Sequence, residues 1–89
     1  MATISMFYGI IISMMYMDNR QHSAPHIHAD YLGNSVVLSI PDGEILAGSF
    51  PPKKLKLVRA WIEIHQESLI ADWELAVVGK TIFTIEPLR

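Results

Sequence analysis

The feature that most constrains the fold is a change of pattern at Pro51-Pro52. After it, the run from Lys53 to Val78 contains no glycine and no proline. Leu55, Val58, Trp61, Ile62, His65, Leu69, Trp73 and Val77 recur there at every third or fourth position, which describes one face of a helix. Proline is favoured at a helix start, and Gly79 suits a helix end. Ser68 is a candidate cap for a second helix, so the run predicts either one long bent helix or two.

Before the prolines, apolar runs alternate with turn-forming residues. Residues 3–17 are rich in Ile, Phe, Tyr and Met and read as one strand, in which Gly9 marks a bulge or a close backbone approach. Residues 18–25 are polar, end in Pro25 and read as a loop. Residues 26–32 read as a second strand, bounded by a turn at Gly33-Asn34. Ser35 to Ile40 and Glu44 to Phe50 are the third and fourth strands, joined by the turn Pro41-Asp42-Gly43. Thr81 to Ile85 adds a short final strand, ended by Pro87. The expected fold is therefore α+β: a four-stranded antiparallel meander, then one long bent helix or two helices packed on the sheet, and a short C-terminal strand. With 89 residues, the chain is expected to form a single domain, 1–89.

Composition removes several functions. There is no cysteine, which excludes disulfides and cysteine-ligated metal sites. A net charge of -2 and a sequence pI near 6.0 disfavour a nucleic-acid binder that works by bulk positive charge. The apolar run Ile4 to Met17 falls short of the roughly 20 residues a membrane helix needs, and no Lys or Arg precedes it as in a signal peptide. A cytoplasmic location without membrane contact is the expectation.

Three of the four histidines, His22, His26 and His28, fall within seven residues. On a strand, His26 and His28 share a face about 6.5 Å apart, and Asp30 extends that face. Two such imidazoles suit acid–base chemistry, with His22 as a third group; His22, His26 and His28 equally suit a divalent metal, with Asp30 orienting a ring. His65 lies on the apolar helix face between Trp61 and Leu69 and reads as a core or interface histidine. Four of the seven basic residues, Lys53, Lys54, Lys56 and Arg59, cluster at the helix start. That order opposes the helix dipole and suggests that an anion is held there, with Lys53, Lys54 and Arg59 as phosphate contacts. If histidines and lysines face one another, the set reads as a metal-independent ribonuclease site. The competing reading is a solvated lysine face and a histidine-bearing strand edge.

The chain is 51% hydrophobic. Leu57, Ile64 and Ile70 lie off the main helical stripe, which suggests an apolar surface used by a partner or by a second copy of the chain.

Several segments stand out together: Ile4 to Met14, Pro25-His26-Ile27-His28-Ala29 with Tyr31, Asp42 to Gly48, Leu57 to Trp61, His65, Leu69 with Trp73, and Ile85 to Leu88. Jointly they are similar to a small bacterial family, the domain of unknown function 4160. The family pattern Asp-His-x-Pro-Pro-His-x-His carries Gln21 here in place of the acid and Ala24 in place of the first proline, while all three histidines remain. Loss of that carboxylate weakens the metal reading. The resemblance implies a small cognate partner encoded by a neighbouring gene, of a domain called 2442 in the same series. It also implies the toxin-like role of a toxin–antitoxin pair, with RNA as a candidate target. The alternatives are a non-catalytic partner-binding module and a histidine-based metal-binding domain.

Overall fold

A computed structural model describes residues 2–15 and 24–89. The architecture is α+β: a five-stranded antiparallel meander in the order β1-β2-β3-β4-β5, followed by two helices. The strands are β1 (Ala2–Phe7), β2 (Ile10–Met14), β3 (His26–Tyr31), β4 (Asn34–Ser39) and β5 (Ile45–Gly48); the helices are α1 (Pro52–Ile64) and α2 (Gln66–Val77).

The extra strand comes from the first apolar run, which folds back on itself as β1 and β2. Tyr8 and Gly9 both have positive φ, the requirement of the tight two-residue turn whose twist matches a hairpin. Gly9 is thus a turn residue, and the bulge lies in β1, between Thr3 and Ser5. The close approach expected at Gly9 is present, since a Cβ there would sit 3.2 Å from the Tyr31 ring. The β3–β4 turn is centred one residue earlier than the sequence suggests, on Leu32-Gly33, and the Asn34 side chain donates to the Tyr31 carbonyl.

Ile10, Ile12, Met14, Ile27, Ala29, Val36 and Leu38 alternate along β2, β3 and β4 and form the sheet side of the core. The helices contribute Val58, Trp61, Ile62, Leu69, Trp73 and Ala76. Phe7 and Trp61 meet with ring centroids 5.5 Å apart. The helical stripe read from the sequence therefore faces the core, with Leu55, His65 and Val77 half-buried at its margins.

The helix bends at His65, not at Ser68. His65 leaves helical geometry at φ -112, ψ 28, yet its N–H still reaches Trp61 O and its carbonyl accepts from Leu69 N. The hydrogen-bond ladder passes through the bend, so no polar cap is required there. Residues 81–85 do not form the expected strand. The C-terminal segment is instead pinned to β1, α1 and α2 at single points: Ile85 N–H donates to Ile4 O at 2.7 Å, Trp61 Nε1–H to Glu86 O at 2.7 Å, and Phe83 N–H to Asp72 Oδ1 at 3.0 Å. Among the described residues no helix is long and apolar enough to cross a membrane.

Candidate functional site

Strand β3 presents the histidine face. Ile27 and Ala29 enter the core, while His28 and Asp30 are half-buried on the other side of the strand. His26 opens the strand and is only 1% exposed. Its ring lies 4.8 Å from that of Trp73 in α2 and 5.4 Å from that of His28. His26 Nδ1–H donates to Ala24 O at 2.8 Å, which places the neutral ring's lone pair on Nε2. Across the strands, His28 is opposite Ser13 on β2 and Val37 on β4, and Ser13 Oγ is buried without a hydrogen-bond partner. Asp30 is opposite Ser35, whose hydroxyl donates to its carboxylate. His28, Asp30, Ser35, Val37 and Ala47 line a groove of about 350 Å³ on this face.

The basic helix start is divided between the two ends of the sheet. Lys54 lies at the Tyr31 end of β3, with Nζ 4.9 Å above the Tyr31 ring and 3.4 Å from the Tyr8 carbonyl. Five residues separate Tyr31 from His26, roughly 16 Å of extended strand. Lys53 is exposed beside Lys54 on the first turn of α1. Arg59 belongs to the other end. Its Nε–H donates to Gly43 O at 2.9 Å, and Gly43 N–H donates to Ser39 O, Ser39 being the cross-strand partner of His26. The structure thus brings His26 next to His28, sets Arg59 on the turn that follows Ser39, and leaves Lys54 at the far end. His22 lies outside the described residues. Among the described residues no three His, Asp or Glu side chains are grouped as a metal site would require.

Asp72 is a buried polar group not singled out in the sequence. It is 3% exposed; Oδ1 accepts from Phe83 N–H, while Oδ2 is buried without a partner. Burial raises its carboxyl above the ordinary carboxylate value, and the Phe83 hydrogen bond opposes that rise. The sequence did carry a signal: Asp72 falls three residues after Leu69 and four before Ala76, a charged residue in the apolar stripe.

A family model described as Domain of unknown function (DUF4160) matches residues 9–74. The match spans β2 through most of α2 and excludes β1 and the C-terminal segment. No curated protein and no solved structure matches the chain.

Proposed function

The chain belongs to the DUF4160 family, and from that premise we propose that it is the toxin-like member of a two-protein pair, bound by its cognate partner along the exposed strand β5. The observation that supports this reading is the difference between the two edges of the sheet. The β1 edge is engaged by the C-terminal segment through Ile85 N–H and Ile4 O. All four residues of β5 are exposed, including Ile45 at 45% and Leu46 at 37%. An uncovered edge strand with apolar side chains can accept an extended segment of another protein by strand addition. Its short length and the bulge opposite Val37/Leu38 restrict indiscriminate pairing, so docking depends on a matched partner.

The test is co-expression with the product of the neighbouring gene, followed by size-exclusion chromatography with light scattering. The expected result is a stable complex that is lost in Ile45→Lys/Leu46→Lys and kept in His26→Ala/His28→Ala. A complex indifferent to charge on β5 would overturn the assignment of the surface.

A second reading, acid–base action on RNA, is favoured by one observation: the His26 and His28 rings are 5.4 Å apart beside the groove that His28 lines. There His28 exchanges protons with substrate, the buried His26 ring stands behind it, and Arg59, with Lys53 and Lys54 further along, meets phosphates. Expression without the partner then arrests growth, and His28→Ala restores it. Arrest that persists in soluble, folded His28→Ala rejects this chemistry.

A further inference from the structure

Among the described residues Asp72 is the only buried carboxylate. A carboxylate taken out of water needs partners for both oxygens, and Asp72 Oδ2 has none. The residue lines a cavity of about 340 Å³ between α2 and the C-terminal segment. The cavity's other polar groups are those of His65, Ser68, Thr84 and Glu86, and no lysine or arginine lines it. Arg89, the guanidinium paired with Glu86, is 80% exposed at the surface. Acidic and hydroxyl acceptors around a carboxylate with an unpaired oxygen call for a positively charged hydrogen-bond donor.

We propose that this cavity binds an organic cation, a protonated amine or a guanidinium, seated against Asp72 under the C-terminal segment. A cation with several N–H donors suits the site better than a metal ion, because His65, Asp72 and Glu86 line one cavity without forming a metal-ligand group. A charge inside the cavity acts on the carboxylate through protein, where attraction is stronger than in water. The elevated proton affinity of Asp72 fits the same account, since a carboxyl that lacks its cation holds a proton more tightly. His65 and Glu86 are the other titratable residues that line the cavity; a neutral imidazole tolerates a cation, and the Glu86 carboxylate is paired with Arg89 at the surface. The site lies away from β5 and does not depend on the role proposed for that strand.

The test is a ¹H–¹⁵N NMR titration of the full chain at about pH 8, where an ordinary imidazole is neutral. The probes are ethylammonium, ethylguanidinium and, as a stand-in for a partner's side chain, N-acetyl-arginine amide; tetramethylammonium, which has no N–H donor, is the control. Saturable shifts of the Ser68, Phe83 and Thr84 amides are expected from the N–H cations and not from the control. Affinity is expected to fall at least tenfold in Asp72→Asn, which retains an acceptor for Phe83, and by less in Ser68→Ala. Stronger binding of the arginine amide than of ethylguanidinium identifies a protein side chain as the occupant, and the reverse order a free small cation. Absence of saturable shifts in the folded wild-type chain, or equal shifts in wild type and Asp72→Asn, overturns the proposal.

Discussion

Replacement of Gly48 by alanine isolates what seats β5 on the sheet. Gly48 has φ +80, and a Cβ there would overlap the Ser35 carbonyl oxygen and lie 3.1 Å from both Ser35 C and Val36 Cα. Gly33 provides the reference: its φ is +85, but nothing lies within 4 Å of its Cβ position. Left-handed backbone costs an alanine about 1–2 kcal/mol, offset by roughly 0.4–1 kcal/mol from stiffening of the unfolded chain. Gly33→Ala should therefore cost about 1 kcal/mol. Gly48→Ala incurs the same backbone term and must also push β5 away from β4. The bond from Ser49 N–H to Ser35 O at 3.2 Å lies at the point of overlap, as does the Val36–Gly48 pairing. Losing two such hydrogen bonds adds about 2 kcal/mol. The expected total is about 3 kcal/mol, a large share of the roughly 4–13 kcal/mol available to a domain of this length. Urea unfolding followed by tryptophan fluorescence reads the difference. With a slope of about 1 kcal/mol per molar, the two midpoints should stand about 2 M apart. Because Gly48 also ends the proposed docking strand, the variant should weaken partner binding where Gly33→Ala does not. Equal losses of stability in the two variants would refute the overlap argument.

Two further perturbations follow from the same geometry. Asp72 has its carboxyl raised by burial, so the folded state binds the proton more tightly than the unfolded chain does. That contribution is fully present below the unfolded value and is lost as pH rises through the folded one; Asp72→Asn should be more stable than wild type at pH 7 and lose this advantage toward pH 3, as measured by thermal unfolding across pH. Arg59→Ala removes the donor to Gly43 O and should cost about 1 kcal/mol in urea unfolding, with the loss concentrated at the β4–β5 turn in amide exchange.

The fold was legible where the sequence pattern has a single solution. The glycine- and proline-free run could only be helical, and its stripe from Val58 to Trp73 faces the core. The first apolar run had two solutions. A single long strand covered on both faces would bury Met6, Tyr8 and Ile11, which the hairpin leaves exposed, and Tyr8 at the turn is not one of the usual hairpin residues. Its positive φ is imposed by the pairing of Phe7 with Ile10, which composition does not report. The C-terminal residues 81–85 were strand-like in composition, yet Asp72 holds Phe83, Ile4 holds Ile85 and Trp61 holds the adjoining Glu86, and contacts from three elements leave no continuous ladder.

The candidate site was legible along β3 and illegible between elements. Alternation on a strand fixes which side His28 and Asp30 share, and that needs no tertiary information. The relation of the strand to the helix start does need it. Lys54 and Arg59 are five residues apart on α1, about 7.5 Å of helix rise, yet they contact opposite ends of the sheet. Lys54 reaches Tyr31 and the β1–β2 turn, whereas Arg59 reaches the turn after β4. A single phosphate beside His26 therefore cannot also be held by Lys54 across some 16 Å of strand. Nuclease action here would require a polynucleotide that runs the length of β3, with Arg59 near the reacting phosphate and Lys54 on a distant one. Lys54→Ala should then reduce affinity for long RNA while leaving a dinucleotide unaffected, and Arg59→Ala should impair both. Equal sensitivity of the two substrates to Lys54→Ala would place the phosphates somewhere other than along this strand.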